Sequence, residues 1–338
     1  MKRLLITGAA GFIGSNLARY ELREHPEAEV TILDKLTYAG RRETMADLLA
    51  DRRVSFVEGD IADAGLVDGL VARHDAVLNV AAETHVDRSI MDPGPFVQSN
   101  VVGTYTLLQA ALKHKVQRFV QVSTDEVYGS IASGSTREGD PLDPRNPYAA
   151  TKAGAELLAR SYFTTHGLPV LITRGANNYG PFQFPEKAIP VFTTNAIDDQ
   201  PIPLYGDGRQ ERHWLHVMDH CAGIDAVLRR GAVGEIYNVG TEDHRPNVYV
   251  AETILAALDK PRELIHFVSD RPGHDVRYSL DSSKLHALGW RPARVFEEGL
   301  EETVHWYEQH QEWWRPIKES QRAYYEKNYA WRSAKPRR

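Results

Sequence analysis

One cysteine, Cys221, occurs in 338 residues. A single thiol forms no internal disulfide, which excludes a disulfide-stapled scaffold and agrees with a reducing compartment. No apolar run approaches the length needed to cross a bilayer. The start, Met1-Lys2-Arg3-Leu4-Leu5-Ile6, has the charge-then-apolar order of a leader, but the run stops at Thr7-Gly8. That is too short for a signal peptide. An excess of positive charge is also missing: 40 Lys and Arg stand against 46 Asp and Glu, for a net charge of −6. Such a balance leaves no footprint for a nucleic-acid partner. The four cations within 332–338 read as a solvated terminus. Repeats and low-complexity segments are absent as well. The expectation is a cytoplasmic protein with neither membrane nor nucleic-acid partner. Its length points to one large domain or two intimately joined ones, and 42% apolar residues are ample for a core.

What is present is alternation. Strand-like runs span 2–7, 29–33, 54–58, 76–80, 119–123 and 170–173, with helix-like stretches at 15–24, 96–114 and 149–166. This order predicts an α/β fold with a doubly wound parallel sheet covered on both faces. Gly8, Asp34, Asp60, Ala81, Ser123 and Gly175 fall at or just after strand ends, the edge where such sheets bind ligands. After about Gly180 the pattern loosens, with prolines at 181, 185, 190, 201 and 203 and helices expected at 217–230 and 248–258. Residues 1–180 therefore read as a nucleotide-binding domain. Residues 181–338 read as a smaller α/β substrate lobe, with some segments returning to the sheet. Three of the six tryptophans lie in 305–314, read as a surface helix capping the small lobe. The face Val101, Tyr105, Leu108 and Leu112 is expected to pair with Leu157, Leu158 and Ser161 in a four-helix homodimer contact, the alternative being that much of it packs on the protein's own sheet.

The first strand runs into Gly8-Ala9-Ala10-Gly11-Phe12-Ile13-Gly14 and then a helix. Glycines at such a turn let backbone approach a pyrophosphate at the helix N-terminus. The spacing is G-x-x-G-x-x-G, which departs from the dinucleotide fingerprint and by itself also fits an ordinary tight turn. Asp34 follows 20 positions after Gly14, at the end of the second strand. There an acid accepts a ribose 2′-hydroxyl and repels a 2′-phosphate, which favours NAD over NADP. Lys35 beside it leaves NADP open.

Tyr148 and Lys152 lie four apart on an expected helix and so share a face. An ammonium beside the phenol and a cationic nicotinamide both favour the phenolate, which would take a substrate hydroxyl proton as hydride leaves the same carbon. Thr124 would share a hydrogen bond with that hydroxyl. The bland alternative is a half-buried aromatic and a solvated lysine. Asp125 and Glu126 follow Thr124 and could simply cap a helix, but Val127-Tyr128-Gly129 lacks a helical pattern. Paired acids suit elimination: once C4 of a sugar is a ketone, a carboxylate takes the C5 proton and a carboxylic acid protonates the departing C6 hydroxyl. Close like charges promote the two protonation states this needs.

Together with Thr7–Gly14, these segments resemble the dTDP-glucose 4,6-dehydratases of the extended short-chain dehydrogenase/reductase superfamily. The likeness also rests on Asp34–Gly40, Ala81–Ser89, Ser123–Gly129, Asn177–Pro181, Phe184–Lys187 and Asp270–Asp275, and extends to Glu312-Trp313-Trp314. It implies a Rossmann domain, tightly held NAD, no metal, a homodimer and a 4-keto-6-deoxy sugar nucleotide as product. It further implies Thr124, Asp125 and Glu126 as a catalytic trio, Glu126 the C5 base and Asp125 the C6 acid, beside Tyr148 and Lys152. Around NAD the resemblance sets Gly8, Gly11, Phe12, Ile13, Gly14, Asp34, Lys35, Thr37, Asp60, Ile61, Ala81, Ala82, Ser99 and Asn178. Around the nucleoside-diphosphate sugar it sets Thr84, His85, Asn177, Glu186, Lys187, Pro203, Tyr205, Arg212, Asn247, Arg271 and His274. Two stretches depart from the family pattern: Arg212-His213-Trp214, usually Arg-Asp-Trp, and 240–247. Both fall in the expected nucleotide half, so they bear on base and sugar and leave the dehydration residues intact. A nucleotide-sugar 4-epimerase or decarboxylase shares the glycine turn and the Tyr/Lys pair without needing both acids. A non-catalytic NAD sensor would need neither Tyr148 nor Lys152.

Overall fold

The computed structural model describes residues 1–269 and 277–329. Seven parallel strands form the central sheet in the order β10-β6-β5-β4-β1-β2-β3. They are β1 (Arg3–Thr7), β2 (Glu29–Asp34), β3 (Val54–Glu58), β4 (Ala76–Asn79), β5 (Arg118–Thr124), β6 (Val170–Gly175) and β10 (Ile236–Val239). Successive side chains of a strand face opposite sides. Leu4 and Ile6 of β1 accordingly join one core, with Leu17 and Ile224 from covering helices, while Leu5 joins the other, with Leu107 and Tyr162. The strand order reverses between β1 and β4, and a crevice opens there at the carboxyl ends of a Rossmann-type sheet. The fold class read from the sequence is the one observed.

The later half is not a separate layer. β10 returns to pair with β6, and helix Val217–Arg230 packs on helix Phe12–Glu24. The remaining strands make two small sheets. One is β11 (His244–Pro246), β9 (Glu211–His216) and β7 (Asn177–Tyr179); the other is β12 (Ile265–Val268) on β8 (Ile202–Tyr205). A third core, including Ile189, Phe192, Leu204, Trp214 and Ile254, fills this lobe.

Three local expectations differ from what forms. The stretch expected as one helix over 96–114 contains a π-helical segment, Val97–Gly103, before helix Thr104–His114. Leu108 of the expected dimer face is fully buried and Leu112 and Leu158 pack on the same core, because that side of both helices covers the sheet. Tyr105 and Leu157 point outward, 48% and 55% exposed. The tryptophan-rich end is more than a cap on the small lobe. Helix Gln311–Tyr329 sinks Trp314 fully and packs with Tyr307, Phe184 and Tyr38. Trp313 donates to the Thr44 hydroxyl at 3.2 Å, and Lys318 donates to Asn195 and Asp198. One helix thus fastens both lobes, since its aromatic rings find apolar partners on each.

Candidate active site

The carboxyl ends of β1, β2, β4, β5 and β6 open on a cleft of about 430 Å3 that is closed on its far side by the small lobe. Such a volume is typical of ligand pockets. The glycine turn forms its floor. Gly8 has φ +72°, and a Cβ there would lie 2.6 Å from the Ala81 Cα; a Cβ on Gly14 would lie 2.5 Å from the Gly8 carbonyl oxygen. Only bare backbone fits this packing of helix against strand. Asp34 is held by the amides of Ala10 and Leu36 at 2.9 and 2.8 Å. Burial pushes its carboxyl up, and those two amides and Lys35 oppose the rise. Lys35 donates to Ser99 at 2.7 Å and stands 3.4 Å from Asp60.

Thr124 ends β5, and Asp125–Tyr128 form a single 3-10 turn. The paired acids therefore do stand at a short helix start, with the Thr124 hydroxyl accepting from the Glu126 amide and donating to Asp125 at 3.2 Å. Asp125 is buried, and its carboxyl is pushed up to about 7. Burial is the largest cause and the neighbouring Glu126 carboxylate the next; Thr124 and Arg212 oppose it. Its Oδ2 is buried without a hydrogen-bond partner. Glu126 accepts from the Asn146 amide at 3.2 Å.

Asn146 is a residue the sequence reading missed. It caps helix Pro147–His166 by accepting from Ala149 at 2.8 Å, and the same side chain donates to Glu126. The signal was there: Asn followed by Pro at the first helical position is a helix start. That helix carries Tyr148 and Lys152 into the site. The electrostatics of the phenol run opposite to the expectation. Burial and the carboxylates of Glu126 and Asp125 push Tyr148 well above its ordinary value, with only Thr124 opposing. The Lys152 ammonium donates to the Val122 carbonyl at 2.6 Å, and its burial lowers it to about 8. The sequence counted a lysine and a bound cationic ring; the folded walls alone supply mostly negative charge.

The cleft brings together Gly8, Gly11, Phe12, Ile13, Gly14, Asp34, Lys35, Thr37, Ile61, Ala81, Ala82 and Ser99 with Thr124, Asp125, Glu126, Tyr148 and Asn178. Thr84, His85, Asn177, Glu186, Lys187, Pro203, Tyr205, Arg212 and Asn247 line the same space from the other side. Asp60, 3.4 Å from Lys35, and Lys152 are not among the lining residues, and Arg271 and His274 lie outside the described residues. Leu204 lines the cleft between Pro203 and Tyr205, and Val191, Phe192, Trp214 and His220 also contribute, unanticipated by the sequence reading. No helix among the described residues is long and apolar enough to cross a membrane.

Comparisons with known proteins agree with this geometry. The GDP-mannose 4,6 dehydratase family model matches residues 5–303. A dTDP-glucose 4,6-dehydratase of Actinoplanes sp. is 52% identical over 318 residues, covering 92% of this chain and 99% of the relative. The crystal structure of DesIV, a dTDP-glucose 4,6-dehydratase from Streptomyces venezuelae with NAD and TYD bound, superposes with a TM-score of 0.91. It is 51% identical and covers 94% of this chain and all of that one. The Bacillus anthracis dTDP-glucose 4,6-dehydratase in complex with NAD gives 0.88 at 43% identity, with 94% and 100% covered. With the acid pair, the Tyr/Lys helix and the glycine turn on one sheet edge, the chain belongs to the dTDP-glucose 4,6-dehydratase family.

Proposed function

We propose that the protein catalyses the NAD-dependent dehydration of a nucleoside-diphosphate hexose, dTDP-glucose, to the 4-keto-6-deoxy sugar nucleotide. The observation that carries this reading is the acid pair after Thr124. Asp125 is biased toward its protonated form, Glu126 is oriented by Asn146, and both border the cleft that Tyr148 enters. Cofactor residues fit as well, since Gly8, Gly11 and Gly14 at a helix N-terminus would hold a diphosphate and Asp34, lining the same cleft at the end of β2, would take a ribose hydroxyl. The relatives crystallised with NAD support the same cofactor.

Bound NAD supplies a reversible hydride acceptor, which makes oxidation at C4 and reduction at C6 one internal transfer. The protein's own residues move the protons. Tyr148, with Lys152 one helical turn behind it, takes the O4 proton; a bound cationic nicotinamide would offset the rise that burial and the two acids impose on the phenol. Glu126 removes the C5 proton, made acidic by the C4 ketone, while Asp125 protonates the departing C6 hydroxyl as water. Glu126 then returns its proton to C5. Over a turnover Tyr148 gains one proton and Asp125 loses one, and the Thr124 hydroxyl stands between them. Arg212 and Lys187 suit the diphosphate and sugar, the former through its planar fork, and Pro203 and Tyr205 offer a surface for the base. Residues 1–180 take mainly the cofactor and 181–338 mainly the sugar nucleotide, with β10 serving the first task from the second segment. We also infer a homodimer whose contact includes Tyr105 and Leu157, the outward apolar residues of the two paired helices. A cytoplasmic location accords with the lone, buried Cys221.

The test is Glu126→Gln mixed with dTDP-glucose in D2O. Turnover should fall on the order of 10²–10⁴, absorbance of reduced cofactor should accumulate, and C5 should take up no deuterium. Deuterium entering C5 at the unmutated rate would remove Glu126 as the base.

A further inference from the structure

Arg88 has no place in the chemistry above, yet it is held more elaborately than most residues that do. It lies in helix Val86–Met91, and its guanidinium sits between two aromatic rings, 3.8 Å from the Tyr38 centroid and 3.9 Å from that of Tyr324. Its Nη2 donates to Gln321 Oε1 at 2.9 Å, and its Nε stands 3.5 Å from Glu186 Oε2. The Glu186 side chain is 1% exposed and lines the cleft; Tyr38 donates to its Oε1 at 2.8 Å, and Oε2 has no hydrogen-bond partner. Four distant stretches meet here: the loop after β2, helix Val86–Met91, the segment before helix Ala188–Ile197, and helix Gln311–Tyr329.

We propose that Arg88 is a positioning residue that keeps the Glu186 carboxylate aimed into the cleft, and that the C-terminal helix, through Tyr324 and Gln321, holds Arg88 in place. The physical case has three parts. A carboxylate buried this far must be paired or protonated. Its burial pushes Glu186 up, and the Lys187 ammonium, the Tyr38 hydroxyl and Arg88 oppose that rise. Tyr38, His85, Arg88 and Lys187 are the titratable or charged groups facing it; Gln321 and Tyr324 contact Arg88. Second, a guanidinium stacked on both faces keeps its plane, so the direction of Nε is fixed, which an ammonium at the same place would not achieve. Third, Oε2 is the oxygen that lies within ion-pair range of Arg88 at 3.5 Å and His85 at 3.9 Å while Oε1 is taken by Tyr38, so the cation sets the orientation of a carboxylate that lines the cleft. The inference rests on the reading of Glu186 as a sugar contact. It adds that residues past 303, where the family model ends, complete the sugar site.

The experiment compares Glu186→Gln, Arg88→Gln, Arg88→Lys, Tyr324→Ala and the double variant Arg88→Gln/Glu186→Gln in the full-length protein. Profiles of kcat/KM against pH are measured with dTDP-glucose, alongside calorimetric binding of dTDP, which lacks the sugar. Arg88→Gln should lower kcat/KM about tenfold at pH 7 and move its acid limb to higher pH, because the carboxyl loses a cation. Arg88→Lys should recover part of that, and Tyr324→Ala should shift the limb in the same direction by less. Affinity for dTDP should hold within about twofold, since the lesion lies at the sugar. The double variant should be no worse than Glu186→Gln alone. A silent Glu186→Gln would sink the sugar-contact reading, and the inference with it. An impaired Glu186→Gln combined with an unmoved acid limb in Arg88→Gln, or with additive losses in the double variant, would overturn the inference alone.

Discussion

The two walls of the cleft are built in different ways. On the cofactor wall, Gly8, Asp34, Ala81, Thr124 and Gly175 sit at or just after the ends of five strands of one parallel sheet. The register of that sheet fixes them relative to one another: Thr7 is paired with Leu33 and with Asn79, and Thr124 with Gly175. On the sugar wall, Asn177, Pro203, Arg212 and Asn247 come from a three-residue strand, a two-stranded sheet, β9 and a helix start, and Glu186 from an irregular segment. The cofactor wall is a by-product of the core, so its residues are placed by the same burial that folds the chain. The sugar wall is held by polar and aromatic contacts among small pieces, and by a helix from the far end of the sequence. Substitutions should therefore fail differently on the two sides.

The largest effect is expected on the cofactor wall. In Gly14→Ala the new Cβ would lie 2.5 Å from the Gly8 carbonyl and 2.7 Å from the Ala9 Cα, both backbone atoms of the turn that cannot yield without moving it. A shift of that size costs on the order of 10²-fold in rate. Purified Gly14→Ala should carry little NAD after denaturation and chromatography, yet still bind dTDP by calorimetry. Equal loss of both ligands would show that the walls are not separable.

A smaller effect, on the other wall, sharpens the contrast. Arg212→Lys keeps the charge but removes the fork that matches a diphosphate. Loss of one such charged hydrogen bond is worth roughly tenfold in kcat/KM, expressed mainly in KM, while NAD content stays at the unmutated level. A fall in NAD content would join the two halves after all. An unchanged KM with a reduced kcat would instead point to Arg212 acting on Asp125, whose carboxyl it opposes in rising.

The same contrast explains what could be read without coordinates. Leu4-Leu5-Ile6 before Gly8, or Val120 and Val122 before Thr124, announce buried strands ending at the cleft. Local hydrophobicity and cleft position coincide there, so the fold and the sheet edge that opens on the cleft were legible. Glu186 was reached only through family resemblance, because nothing near it in sequence predicts Tyr38, 148 positions away, as its partner. Arg88 and Tyr324 were invisible for the same reason. For the phenol of Tyr148, spacing places Lys152 on its face, but the depth of burial and the two acids facing it are tertiary facts. Helical periodicity marks the Leu108 side as apolar without saying whether the sheet or a second copy covers it, and the sheet does.

An effect on stability, with none expected on ligand binding, concerns the stretch that departs from the family pattern. His213 of β9 is paired in register with His244 of β11, and their rings meet edge to face with centroids 3.7 Å apart. His213 is 1% exposed and lowered to about 3, by burial first and by His244 next. A histidine whose folded value lies below its unfolded value of about 6.5 is protonated first in the unfolded chain. Its contribution is thus full above pH 6.5 and is lost as pH falls from there toward 3. His216 and His220, lowered to about 3 and about 4, act in the same direction. Asp125 and Glu21, raised to about 7, act oppositely across the range above their usual values. The net slope of the whole protein is therefore shallow, and His213 must be isolated by difference. His213→Phe keeps an aromatic ring against His244 and removes the titration. Between pH 7 and 5 the unmutated protein should lose about 1–2 kcal/mol more stability than the variant, by urea unfolding at each pH. Amide exchange in β9 and β11 should quicken at pH 5 in the unmutated protein and not in the variant, with β1 and β5 unaffected in both. Parallel stability curves would mean that the histidine pair does not titrate with folding, and the sugar wall would then be no more acid-sensitive than the cofactor wall.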